Sequence, residues 1–90
     1  MVKTVWKYEV PLQALPSEHW LPIGAEPLHA DVQDRSVQSW WLVEPRAMTE
    51  LRRIVLVGTG HILPDGDWAH IGTVKDGAYI WHLFVESRFV

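Results

Sequence analysis

Cysteine is absent from the chain, which excludes disulfides, thiolate metal sites and cysteine nucleophiles, and removes the usual staple of small secreted domains. Basic charge is scarce as well. Eight Lys and Arg stand against eleven Asp and Glu, a formal net charge of -3, so no basic field exists to neutralise a phosphate backbone and duplex nucleic acid is not an expected partner. The start, Met1-Val2-Lys3-Thr4-Val5-Trp6-Lys7-Tyr8, interleaves lysines with apolar residues, unlike a signal-peptide core or a membrane span. A cytoplasmic protein with no membrane partner is the expectation. Catalytic signatures are missing too. Ser17, Ser36, Ser39 and Ser87 occupy no Gly-x-Ser-x-Gly elbow, and no histidine pair has the helical spacing of a metal site. No cofactor or metal is expected.

What is present is an ordinary globular composition, 48% hydrophobic and 21% charged over 90 residues, far from the balance of disordered chains. A chain this short builds one domain, here residues 1–90, because it cannot bury two cores. Such a domain hides only about two thirds of its unfolded surface, so self-association into a small homo-oligomer is expected to help it.

The apolar residues recur mainly with the period of a half-buried strand. Val2 to Val10 reads as a first strand ended by Pro11, and Glu18 to Leu21 as a short edge strand between Pro16 and Pro22. Leu28 to Val32 and Val37 to Val43 read as a hairpin about Gln33-Asp34-Arg35-Ser36. Glu44 to Glu50 is polar and holds Pro45, as a loop with at most one helical turn would. Leu51 to Val57 is a β-branched run. Ile62-Leu63-Pro64-Asp65-Gly66-Asp67-Trp68 carries turn chemistry, and Ala69 to Val74 with Ala78 to Val85 forms a last hairpin about Lys75-Asp76-Gly77. The fold class is therefore all-β, an antiparallel sandwich or small barrel of six to seven strands.

Six tryptophans are many for this length, and each brings a large apolar area and one donor nitrogen. Trp40 and Trp41 are adjacent on one strand and must face opposite ways, so one fills the core and the other faces solvent or a partner. Arg52 and Arg53 divide in the same manner, which makes one a solvent residue and the other a candidate for pairing or for contacting an anion through its planar fork. Gly58-Thr59-Gly60-His61 follows the β-branched run as an anion-cradling loop could, although it enters Ile62-Leu63-Pro64 rather than a helix. Glycines that merely permit a strand exit explain the same residues. His61, in a loop, is the best functional histidine, whereas His82 shares a face with Ile80 and Phe84 as a satisfied boundary residue would. Trp68 closes the same loop. Trp40, Trp41, Arg52, Arg53, Gly58, Thr59, Gly60, His61 and Trp68 are thus the candidate ligand-binding residues.

Val5-Trp6-Lys7-Tyr8-Glu9, Gly58-Thr59-Gly60-His61-Ile62-Leu63-Pro64 and Trp81-His82-Leu83-Phe84, in this order over most of the chain, resemble a family of small proteins of tailed bacteriophages and their bacterial hosts, labelled as a domain of unknown function. The resemblance implies a phage or prophage origin and carries no catalytic residues. Together with the missing catalytic constellation it leads to a non-enzymatic binding module, a counter-defence protein in the host cytoplasm that sequesters a small anionic, nucleotide-like ligand or blocks a host protein. Two alternatives stay open, a structural or assembly component of the phage particle and a small hydrolase.

Overall fold

The computed structural model describes residues 2–87. Seven strands follow one another: β1 (Thr4–Val10), β2 (Ser17–Pro22), β3 (Glu26–Gln33), β4 (Ser36–Val43), β5 (Thr49–Gly58), β6 (Trp68–Asp76) and β7 (Tyr79–Glu86). They pair antiparallel in two sheets, β1-β4-β3 and β2-β5-β7-β6. The two packed sheets make the all-β fold a sandwich, and no helix of the described residues is long and apolar enough to cross a membrane.

Local chemistry sets the joints. Gln33 pairs with Ser36, and both residues between them, Asp34 (φ 51) and Arg35 (φ 65), are left-handed, the geometry of a type I′ turn that matches strand twist. Asp34 is well suited to it because a short polar side chain lowers the cost of positive φ. In the last hairpin Asp76 pairs with Tyr79, so the turn is Gly77-Ala78, one residue later than the sequence predicts. Gly77 takes its first position at φ 60, where a side chain would be strained.

Two further expectations are corrected. The expected loop from Glu44 to Glu50 is shorter than its composition implies: in a tight turn Ala47 N–H donates to the Glu44 carbonyl at 3.0 Å, and β5 starts at Thr49, ahead of the Leu51 expected from the β-branched run. Pairing with β2 stabilises extended backbone there, so partner geometry overrides a weak local preference. Leu28 does not alternate inward with Ala30 and Val32, because the register shifts between Pro27 and His29 and leaves Leu28 exposed. Pro27 has no N–H to give to the ladder, which suits it to such an irregularity.

The core lies between the sheets and contains Val10, Leu21, Val37, Trp41, Val43, Ile54, Leu56, Leu83 and Val85. Side chains directly across a ladder share a face, so Val55 and Val57, opposite Phe84 and His82, belong to the outer side of the four-stranded sheet. They are buried as well, so β5 is covered on both faces. On one side the sandwich is closed where β3 meets β6: a Cβ at Gly72 would stand 3.1 Å from the Ala30 Cβ. On the other side Tyr8 of β1 meets His19 of β2 edge-on at 6.3 Å. Burial there lowers the His19 pKa and raises that of Tyr8.

Candidate functional site

The nine sequence candidates fall into three places. Trp41 is in the core, where its Nε1–H donates to Ser39 Oγ at 2.9 Å and Ser39 Oγ donates to the Tyr8 carbonyl at 3.1 Å. The Arg52 guanidinium lies 5.5 Å from the Trp41 ring centroid and donates to the Ala25 carbonyl at 3.2 Å. Both residues therefore act on packing. Trp40 points the other way, half-buried on the outer face of the three-stranded sheet, 5.7 Å from the His29 ring.

Arg53 forms the second place. It pairs with the Glu86 carboxylate, and its guanidinium stands 5.7 Å from the Trp68 ring centroid. Trp68 in turn donates Nε1–H to the Pro64 carbonyl at 2.8 Å. The ladders put Arg53, Glu86 and Trp68 side by side on β5, β7 and β6. An arginine near the Gly58 loop is thus not what the fold provides: five residues of extended strand, about 17 Å, separate Arg53 from Gly58.

The loop after β5 is the third place. His61 N–H donates to the Gly58 carbonyl at 2.9 Å, and Gly60 between them has φ 87. Gly58 is needed for space, since a Cβ there would be 2.8 Å from His61 Nδ1. Folded back in this way, His61 lines two adjoining hollows. One, of about 260 Å³, is bounded by Leu12, Ala14, Leu56, His61 and Trp81. The other, of about 300 Å³, is bounded by Gly58, Thr59, His61, Tyr79, Ile80 and Trp81. Tyr79 and Trp81 stack with centroids 6.1 Å apart and planes inclined by 22°. Trp81 Nε1–H is buried and meets no acceptor among the described residues, an arrangement that favours an acceptor brought by a ligand. A larger hollow of about 450 Å³ beside Val2, Glu44, Pro45 and Arg46 has no aromatic ring in its lining, so its size alone does not make it the better seat.

Behind Thr59 runs a row of hydrogen bonds across the outer face of the four-stranded sheet. Thr59 Oγ1 meets His82 Nε2 at 2.9 Å, His82 Nδ1 meets Thr73 Oγ1 at 3.0 Å, and Thr73 Oγ1 meets His70 Nε2 at 3.1 Å. With neutral rings the row can run in either direction, because each hydroxyl donates once while accepting from its other neighbour. Reversing it switches Thr59, at the lip of the hollow, between donor and acceptor towards His82. Thr59 and His82 have the spacing of a nucleophile and its base, but behind His82 stands the Thr73 hydroxyl where a carboxylate would orient a catalytic imidazole. Among the described residues no three His, Asp or Glu side chains converge as metal ligands.

Tyr79, Trp81, Thr73, His70 and His82 are the residues that strand periodicity did not single out for this site. Their signal was the turn: a hairpin centred on Gly77-Ala78 puts Thr73 opposite His82 and Val74 opposite Trp81. Comparison with known proteins gives no match among curated proteins or solved structures. One family model, described as a domain of unknown function (DUF7352), matches residues 1–89, and the chain therefore belongs to the DUF7352 family.

Proposed function

We propose that this domain is a non-enzymatic binding module and that its seat is the pair of hollows joined by His61 and Trp81. The observation that carries this reading is the convergence there of a stacked Tyr79–Trp81 pair, a buried indole N–H with no acceptor among the described residues and the Thr59 hydroxyl. Aromatic faces with a few fixed polar groups suit a small planar ligand with acceptor atoms, such as the base of a nucleotide. Arg52 and Arg53 are committed elsewhere, so such a ligand is held mainly through its base, not through a phosphate fork. In the phage setting that the sequence resemblance implies, the module acts as a counter-defence protein that withdraws a small host signalling molecule or covers a host protein.

The test is a titration of the ¹⁵N-labelled protein with linear and cyclic nucleotides, followed through the indole N–H resonances, with native mass spectrometry of the same mixtures. Binding moves the Trp81 indole resonance and adds the mass of an unaltered nucleotide. If no member of the panel moves it, the nucleotide reading fails, and a processed nucleotide would replace the binding module with an enzyme.

A further inference from the structure

A sandwich of two open sheets has four edges, and three of them are managed here. β3 and β6 cover each other where Gly72 meets Ala30. β2 is six residues long, preceded by Pro16 and ended by Pro22, and proline limits further pairing. β1 has neither device. Its seven residues pair with β4 from Thr4↔Val43 to Val10↔Val37 without a register shift, and only Tyr8, half-buried, and Val10, buried, are not exposed. A lysine can blunt an edge by standing out from it. Lys7 does not, because its Nζ reaches across β4 to donate to Gln33 Oε1 at 2.6 Å.

From this edge we infer that β1 is a homodimer interface, pairing antiparallel with β1 of a second copy to form a continuous six-stranded sheet centred on Trp6. Charge selects the occupant, and charge together with ladder length selects the register. A two-fold axis that keeps the inner faces on one side must pass through a residue, since directly opposed side chains share a face. Centring on Val5 sets Lys3 against Lys7 of the partner copy twice, and centring on Lys7 opposes the two Lys7 side chains. Centring on Trp6 sets Lys3 against Glu9 twice, lays the Lys7 stems beside Val5 and brings together the two Trp6 rings, each 38% exposed in the single chain. Centring on Tyr8 also opposes Lys7 and Glu9 twice, but it runs Val5 against Pro11, whose missing N–H ends the ladder, so of the two charge-complementary registers the one centred on Trp6 is the longer. Sheet pairing through one strand per copy lies at the small end of specific interfaces, below about 1,200 Å², so the dimer is reversible.

Sedimentation equilibrium of the wild-type protein from micromolar to millimolar concentration reads this directly, with circular dichroism to verify folding. The expected result is a monomer–dimer equilibrium that Glu9→Lys or Lys3→Glu alone weakens about tenfold, because each turns two symmetry-related attractions into repulsions. Lys3→Glu combined with Glu9→Lys restores it. Both side chains are exposed, so these variants fold. A monomer at every concentration overturns the inference. So does a dimer indifferent to the single reversals, which would use another face, or a double variant no tighter than the singles.

Discussion

The buried chain from Trp41 through Ser39 to Tyr8 makes a prediction in which two substitutions are less costly together than their sum. Trp41 is fully buried and its Nε1–H donates to Ser39 Oγ at 2.9 Å. Ser39→Ala strands the indole N–H in the core and takes a donor from the Tyr8 carbonyl, for a loss of about 1–3 kcal/mol from the buried donor alone. Trp41→Phe removes ring volume and the N–H together, at about 1–3 kcal/mol for the imperfectly filled space. Once the indole is gone, Ser39→Ala strands no donor, so in the Phe background it costs about 1 kcal/mol or more less than in the wild type. Trp41→Ala is not the variant to use, because a loss of about 3–5 kcal/mol approaches the whole stability of a small domain. Urea unfolding followed by far-UV circular dichroism measures all four corners of the cycle without relying on tryptophan emission. Trp40→Ala serves as control, since the Trp40 side chain is half-buried on the outer face beside His29, on the opposite side of the sheet from those of Ser39 and Trp41. Free energies that add within about 0.5 kcal/mol would refute the chain as an energetic unit.

Two glycines invite the same substitution with opposite results. At Gly72 a new Cβ meets the Ala30 Cβ at 3.1 Å and its backbone nitrogen at 3.5 Å, so Gly72→Ala forces β3 and β6 apart and lowers stability by about 1–3 kcal/mol. At Gly58 the obstacle is the His61 ring, an exposed side chain that can swing away, so Gly58→Ala changes thermal stability little but displaces His61 from both hollows; equal stability losses at the two sites would contradict this. The third prediction concerns pH. Burial lowers the His19 pKa from its ordinary 6.5, so above that pH the residue is neutral in both states, and on acidification the unfolded chain takes the proton first. Stability therefore falls as pH drops below about 6.5 and levels off once the folded pKa is passed. His19→Gln flattens the profile of melting temperature between pH 7.5 and 5, and an undiminished slope in that variant would assign the effect to another group.

Much of the fold was legible because strand alternation and turn chemistry are local. Asp34-Arg35 and Gly77 mark turns on their own, and Pro16 and Pro22 mark an edge wherever the strand sits. The opposed roles of Trp40 and Trp41 follow from strand geometry alone. Leu51 to Val57 gave a less certain signal: a continuous β-branched run does not say which residues face the core. In the structure both parities are buried, Ile54 and Leu56 in the core between the sheets and Val55 and Val57 on the outer face beside Phe84 and His82 of β7. The site was legible only in part. Gly58 to His61 could be found as a loop, but Arg53 and Trp68 were grouped with it by nearness along the chain, whereas β5 carries Arg53 to the far end and the following loop brings Trp68 back to it.

That separation explains how one small sheet can host both a rigid region and an adaptable one. At the Trp68 end, an ion pair, a cation–π contact and an indole hydrogen bond fasten three strands together, so the groups there have already met their partners. At the Gly58 end, each hydrogen bond in the Thr59–His82–Thr73–His70 row joins groups whose donor and acceptor roles can be exchanged, and the Trp81 N–H has no acceptor among the described residues. A ligand gains most where the protein leaves polar groups unsatisfied or reversible, because it then adds hydrogen bonds without first breaking strong ones. On these energetics the proposed ligand gains more at the loop end of β5 and β7 than at the arginine end, although the arginines and Trp68 were the more conspicuous residues in the sequence.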